Sequence, residues 1–312
     1  MNQDKIIFFG TTDFSCEILN ALYQAQYNVV AVVSQPDKPV GRKHRIEPTP
    51  VHALCDELGL PCLQIEHLKT EWSQIIEYEP DVILTCAYGQ IVPDEVLTYP
   101  PKGCINIHPS LLPKYRGGAP MHYAILNGDD KTGVSLMEMT HKMDAGKIYD
   151  QLEISIGPDE TLQELESRLK KASVELILRA LPKYLNGELP GKEQDESKVT
   201  FSYNISRELE CVSFEKEPLD TLYDHIRALI DWPVSYGMLE GKRVKFYEVK
   251  KENTDVDSLP GTILGFKKGY MEVSAIGGIL KVYSLQLEGK KRMDANSFAN
   301  GYSSEVIGKR FA

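Results

Sequence analysis

Apolar runs of strand length recur along the first third of the chain, and their spacing restricts the fold more than any other feature. Lys5–Phe9 (KIIFF), Asn28–Val33 (NVVAVV) and Asp81–Ala87 (DVILTCA) are continuous rather than alternating, as in strands covered on both faces. The first run ends in Gly10-Thr11-Thr12, where Asp13 is placed to cap a helix with Phe14, Ile18, Leu22 and Ala25 on one stripe. Strand, glycine turn, helix and strand within about 30 residues make a βαβ unit, so a Rossmann-like α/β domain with a mainly parallel sheet is expected. The turn holds only Gly10 and lacks the G-x-G-x-x-G spacing, which argues against a nicotinamide-dependent oxidoreductase.

The rest of the chain extends this pattern and then breaks from it. Pro50 suits the first position of a helix capped by Thr49 and stopped near Gly59. A short strand around Cys62–Ile65, a helix around Glu71–Tyr78, a helix over Ala119–Asn127 and a strand over Thr132–Met139 follow. Thr161 and Glu164 form a capping box for a helix with Leu162, Leu165, Leu169, Ala172, Leu176 and Ala180 on one face, ending near Gly187. Residues 187–200 (GELPGKEQDESKVT) are polar and hold Gly and Pro, the composition of a connector. We therefore expect a catalytic domain at 1–187, a linker at 188–206 and a second domain at 207–312. In the latter, a helix over Leu219–Ile230 precedes strand candidates Arg243–Lys250, Gly261–Phe266, Tyr270–Ala275 and Leu280–Leu287, a spacing that suggests a small OB-like β-barrel.

Charge narrows the partners. The net charge of −10 disfavours broad, nonspecific nucleic-acid binding. Residues 207–312 nevertheless balance 16 Lys and Arg against 16 Asp and Glu, so the excess acid lies upstream. A polyanionic partner must be met by local basic patches, and 34–49 (SQPDKPVGRKHRIEPT) supplies one with Lys38, Arg42, Lys43, His44 and Arg45. Loops of such length inside a compact domain are usually functional. The six cysteines, at 16, 55, 62, 86, 104 and 211, show no ligand-like spacing, so no metal is expected. No apolar run reaches the ~18–20 residues that span a bilayer, and the N-terminus lacks the layout of a signal peptide. The expectation is a monomer of the cytoplasm without membrane partners.

Chemistry concentrates in Cys104–Pro120, CINIHPSLLPKYRGGAP. A short buried strand ends there in a loop stiffened by Pro109, Pro113 and Pro120 and freed by Gly117 and Gly118. Asn106 and His108, two apart on a strand, point to the same side. A carboxamide N–H stabilises an oxyanion while an imidazole moves a proton, so the pair suits carbonyl chemistry. A lone histidine at a strand end is otherwise an ordinary hydrogen-bonded residue, and Asp144 before Ala145-Gly146 is otherwise an ordinary turn former.

The full stretch decides between these readings, because NIHPSLLPKYRGGAP resembles the signature of the 10-formyltetrahydrofolate-dependent formyltransferases. The opening Gly10-Thr11-Thr12-Asp13-Phe14 is similar to that family's Gly-Thr-Pro-Asp-Phe, with Thr12 for Pro. MEMTHKMDAG resembles the segment ending in the family's catalytic aspartate, with Met143 for the more usual Leu and Asp144 at the matching position. The resemblance implies formyl transfer from 10-formyltetrahydrofolate to an amine, with no metal. It implies Asn106 and His108 at the oxyanion and Asp144 orienting His108 and helping to remove the amine proton. Ser110, Leu111, Leu112 and Pro113 would contact the folate, and the backbone of Tyr88, Gly89, Gln90 and Ile91 would line its pterin pocket. GRKHRIEPTPV resembles the basic loop of the family branch that acts on initiator methionyl-tRNA, making Arg42, Lys43 and Arg45 the tRNA-binding candidates. IRALIDWPVSYG and LQLEGKKRMDANSFANG resemble that branch's second domain, with Asp231 where Pro is common. The setting implied is the bacterial cytoplasm. The alternatives are a UDP-amino-sugar N-formyltransferase, which should lack the Arg-rich loop, and an inert RNA-binding protein, which the intact Asn106, His108 and Asp144 set disfavours.

Overall fold

A computed structural model describes residues 3–40 and 45–312. It comprises two compact units, one of Met1–Pro120, Lys131–Ser155 and Glu166–Ser202, the other of Met121–Asp130, Ile156–Leu165 and Tyr203–Ala312. In chain order the strands of the first unit are β1 (Ile6–Gly10), β2 (Val29–Ser34), β3 (Lys38–Val40), β4 (Arg45–Glu47), β5 (Cys62–Gln64) and β6 (Val82–Cys86). There follow β7 (Cys104–His108), β8 (Arg116–Gly117), β9 (Lys131–Glu138), β10 (Ile148–Ser155) and β11 (Phe201–Ser202). Seven make one sheet in the order β10-β9-β7-β6-β1-β2-β5. The five from β7 to β5 run parallel, β9 pairs antiparallel with β7, and β10 pairs antiparallel with β9.

The continuous apolar runs behave as two-sided strands must. Every residue of β1 and of β6 is buried. Ile7, Phe9, Ala31, Val33 and Ile83 join Ile65, Leu68 and Ile75 in one core. Gly10 closes β1 because a Cβ there would stand 2.6 Å from Ser15 Cβ and 2.7 Å from the Phe8 ring. The helix Asp13–Gln24 turns Phe14, Ile18 and Leu22 inward as its stripe predicts. Its cap differs from the expectation: Thr12 is the N-cap, and Asp13 is the first helical residue, where its charge complements the helix dipole. The helix Pro50–Leu58 follows its signals closely, since Thr49 Oγ1 accepts from His52 N and Gly59 ends it at φ 68°. Thr161 N donates to Glu164 Oε2 at 2.9 Å in the expected capping box, which opens the helix Leu162–Leu185.

Two stretches hold more structure than their composition suggests. The basic segment contains the antiparallel pair β3 and β4, with Lys38 opposite Glu47 and Pro39 opposite Ile46. Residues read as a connector are stitched to the first unit: Lys192 exchanges two backbone hydrogen bonds with Ile148, and β11 pairs in parallel with β8.

The second unit carries β12 (Tyr236–Leu239), β13 (Lys242–Asn253), β14 (Ile263–Lys267), β15 (Tyr270–Ala275), β16 (Gly278–Leu287) and β17 (Met293–Asp294). They form an antiparallel sheet in the order β12-β13-β16-β15-β14, with β17 on β16. Phe311 bridges Leu239 and Arg310 bridges Thr262, so the last residues join both sheet edges and close a small barrel. Phe214, Phe246 and Phe311 pack with ring centroids 5.2–6.0 Å apart inside it. The terminal helix Ala295–Val306, which sequence periodicity missed, is capped by Asp294, whose Oδ1 accepts from Ser297 N at 2.8 Å. No described helix is long and apolar enough to cross a membrane.

Ile83 lies at the centre of the parallel sheet with no exposed surface. Ile83→Ala is expected to cost about 2–5 kcal/mol of unfolding free energy. Denaturant titration checks this, and a loss under about 1 kcal/mol would contradict the assigned core.

Candidate active site

Strands β6 and β7 are parallel neighbours with Thr85 beside Asn106, and their C-terminal ends open on the same side of the sheet, where open α/β folds place ligands. The Thr85 hydroxyl donates to Asn106 Oδ1 at 2.7 Å. That bond fixes the amide, so Nδ2 is the end left to donate to a substrate oxygen. Met139 Sδ lies 3.0 Å from the same hydroxyl. Two residues on, His108 is 4% exposed, with Nε2 2.8 Å from the carbonyl oxygen of Tyr115. A carbonyl only accepts, so this nitrogen carries a proton and Nδ1 is the one that exchanges. Nδ1 stands 3.7 Å from Asp144 Oδ2, too far for a hydrogen bond. Asp144 Oδ2 is held in turn by the backbone N–H of Gly117 at 2.8 Å. His108 and Asp144, 36 positions apart in the chain, are thus neighbours in the fold.

The loop after β7 is tied down from beneath. Ser135 on β9 sits opposite His108; its hydroxyl donates to Ser110 O at 2.6 Å and accepts from Leu112 N at 3.1 Å. Gln151 on β10 donates to Leu112 O at 3.0 Å and to Ser135 Oγ at 2.7 Å. The Ser110 hydroxyl is turned inward and donates to Lys114 O at 2.7 Å. Of the proposed folate contacts, Ser110 and Leu112 are buried, while Leu111 and Pro113 are half-buried. Tyr115 adopts a left-handed φ of 62° and donates its N–H to Thr200 Oγ1 at 2.9 Å. Gly117 has φ 118°, and a Cβ there would meet Ser202 O at 2.3 Å, so only glycine fits. Arg116, 1% exposed, reaches Gln194 and Glu196 instead of the open side of the site.

The Tyr88–Ile91 segment leaves the end of β6 beside this loop. Tyr88 is buried edge-on against Phe9 at 5.0 Å, and its carbonyl accepts from Thr11 Oγ1 at 2.8 Å. Burial pushes its phenol well above the usual range. Gln90 spends its side chain on Leu68 N and Ile65 O. Gly89 has a positive φ of 94°, and Ile91 is 92% exposed. Backbone, and not polar side chains, is therefore what this segment offers a ligand. His141, to which no role was assigned, is exposed with Nδ1 3.3 Å from Asp94 Oδ1. Among the described residues no cluster of three or more His, Cys, Asp and Glu is placed to hold a metal ion.

Of the basic candidates, Arg42 and Lys43 lie outside the described residues, and Arg45 is exposed on β4. The base of that hairpin is clamped by Asp37. Its Oδ1 accepts from Thr49 N and from His52 Nδ1, both at 3.0 Å, and from Gln64 Nε2 at 2.5 Å. Burial alone would lower the His52 pKa, but the hydrogen bond and charge of Asp37 raise it overall. Burial works to raise the Asp37 pKa, and bonds from His52, Thr49 and Gln64 lower it overall. Asp37, Thr85, Ser135, Gln151 and Gln194 were not singled out from sequence. Thr85 and Ser135 carried one faint signal, a hydroxyl inside an otherwise apolar buried strand.

Comparison with known proteins identifies the family. Residues 4–181 match the formyl transferase family, and residues 204–303 match the family's C-terminal domain. The chain is 43% identical over 305 residues to a methionyl-tRNA formyltransferase of Bacillus cytotoxicus, covering 97% of each chain. It is 41% identical over 311 residues to that of Macrococcus caseolyticus, covering 99% of each. Among solved structures, HypX from Aquifex aeolicus in complex with tetrahydrofolic acid superposes with a TM-score of 0.69 at 17% identity, covering 98% of this chain and 48% of that one. WlaRD, a sugar 3N-formyl transferase, does so with a TM-score of 0.66 at 16% identity, covering 93% of this chain and all of the other. At such identity both establish the shared fold.

The Asp37–His52 clamp has a definite pH dependence. His52, raised in the folded protein, contributes fully below the unfolded value near ~6.5, and this is lost as pH rises through its raised pKa. Asp37, lowered, contributes above the unfolded value near ~3.9, and this is lost as pH falls through its depressed pKa. Replacing His52 by Gln is expected to cost more stability at pH 5.5 than at pH 8.5, the two pH values chosen to lie about 1–2 units either side of the unfolded histidine value. Paired denaturation curves measure it; an equal cost at both would dissolve the ion pair.

Proposed function

We propose that this chain, which belongs to the formyl transferase family through both of its domains, transfers the formyl group of 10-formyltetrahydrofolate to the α-amino group of initiator methionyl-tRNA, giving N-formylmethionyl-tRNA for translation initiation. One observation carries the choice of acceptor: identity of 41–43% to methionyl-tRNA formyltransferases extends over nearly the whole chain. The sugar formyltransferases share the fold at 16% identity, so the UDP-amino-sugar reading rests on likeness of shape alone.

In this reading each residue has a task. An α-amino group titrates near ~8, so part of it is already the neutral nucleophile at pH 7. Its attack on the formyl carbon places negative charge on the formyl oxygen. Asn106 Nδ2, oriented by Thr85, donates to that oxygen. His108, with Nε2 anchored on Tyr115 O, turns Nδ1 toward the same oxygen, and Asp144 Oδ2 stands 3.7 Å from that nitrogen. Asp144 also takes the proton released by the attacking amine, directly or through a water. Collapse of the tetrahedral intermediate returns a proton to the folate nitrogen as the carbon–nitrogen bond to it breaks. Leu111, Leu112, Pro113 and the Tyr88–Ile91 backbone form the folate side of the site, with Ser110 shaping the loop from within. Arg42, Lys43 and Arg45 meet tRNA phosphates, assisted by the barrel domain. The protein works as a monomer in the bacterial cytoplasm and needs no metal.

The deciding assay offers purified protein 10-formyltetrahydrofolate with either methionyl-tRNA or a UDP-amino sugar. Formylation of the tRNA alone is expected, and formylation of the sugar alone would overturn the acceptor. Asn106→Ala should lower turnover by roughly 10²–10³ with tRNA affinity little changed; near-native turnover would remove Asn106 from the oxyanion. Replacing Arg42, Lys43 and Arg45 by Ala should flatten the salt dependence of tRNA binding by up to about 0.9 in slope per lost phosphate contact. An unchanged slope would leave the hairpin without this task.

A further inference from the structure

Asp144 has a left-handed φ of 51°, a conformation that aspartate tolerates better than most residues. Its turn is also held from outside, by residues from 192–202, a stretch whose composition reads as a connector.

Gln194 is the centre of that support. It is 9% exposed and all of its amide valences are used. Nε2 donates to the carbonyl oxygens of Asp144 and Gly146, both at 2.8 Å. Oε1 accepts from Arg116 Nε at 3.0 Å and from a second guanidinium nitrogen at 2.9 Å. Arg116 continues to Glu196 at 2.8 Å, and Glu196 also receives Lys142 at 3.3 Å. The guanidinium of Arg116, followed by Lys142, holds the Glu196 carboxyl below its usual range. Arg116 immediately precedes Gly117, whose N–H binds the Asp144 carboxylate. On either side the strap is stitched in by backbone: Lys192 to Ile148, Arg116 N to Thr200 O at 2.9 Å, and Gly118 N to Ser202 O at 2.9 Å. One buried carboxamide thus joins the turn that carries Asp144 to the loop that anchors both Asp144 and His108.

We infer that Gln194, with Arg116, is a positioning residue for the transfer reaction, setting the distance between Asp144 and His108 without touching substrate. The inference rests on the formyl-transfer reading above. Because the amide acts through Asp144, its loss should fall on the chemical step and leave both substrates binding as before. Misplacement of a reacting group by about 1 Å typically costs 10²-fold in rate.

The test uses the full chain with Gln194→Glu, which keeps volume and an acceptor for Arg116 but replaces the two N–H donors by oxygen. The expected result is a 10- to 100-fold fall in kcat, KM for methionyl-tRNA and for 10-formyltetrahydrofolate within about twofold, and an intact near-UV spectrum. In an Asp144→Asn background the same substitution should cause no further loss. Unchanged kcat in a folded variant, or the same loss with and without Asp144, would overturn the inference. Should Gln194→Glu fail to fold, Gln194→Asn, a shorter amide, takes its place with the same two readouts. Native protein that formylates no methionyl-tRNA would fail the functional reading itself; active native protein with an indifferent Gln194 would fail only this inference.

Discussion

The hydrogen bond from Gly117 N to the Asp144 carboxylate is the joint on which the site depends. It connects the loop after the fourth buried parallel strand to a turn between two antiparallel strands, 27 residues later. The bond exists because Gly117 can take φ 118° against Ser202, and because Asp144 is held left-handed at φ 51°. Neither conformation is one that an ordinary residue supplies for itself. The surrounding protein therefore has to impose them, and the layers of contact around the loop are the means.

Those layers differ in kind. Beneath the loop, Ser135 and Gln151 use side-chain hydroxyl and amide groups to satisfy backbone groups at Ser110 and Leu112 that the sheet leaves behind. At its side, Arg116 is buried with its N–H groups accepted by Gln194 and its charge met by Glu196, whose own carboxyl remains in contact with water. A buried guanidinium left without such partners would cost far more than a neutral residue. The same arrangement that makes Arg116 tolerable holds the turn of Asp144, so one set of bonds serves both.

The two modules are built on different physics. In the first unit, Asn106 and His108 stand at a strand end whose register is fixed, because the buried strands beside it cannot shift without exposing an apolar set. In the second, the antiparallel sheet closes through Arg310 and Phe311, so its edges are removed by its own terminus. Between strands β2 and β5 of the first unit, Asp37 gathers Thr49, His52 and Gln64 at the foot of the β3–β4 hairpin, giving the basic segment a fixed base.

Sequence alone determined the elements whose cause is local: the parallel βαβ start from its apolar runs, the caps at Thr49 and Thr161, the barrel strands from their spacing, and Asn106 with His108 from their two-residue interval. It also marked Asp144, through resemblance and not through periodicity. Only tertiary structure decided that Arg116 braces the loop, that Thr85 orients the amide of Asn106, and that residues 192–202 bond to the turn of Asp144. Hydrophobic period and turn chemistry are written into neighbouring residues and can be read there. A hydrogen bond between Gln194 and a carbonyl fifty positions earlier leaves no local pattern, because what selects the glutamine is a partner that arrives only when the chain has folded.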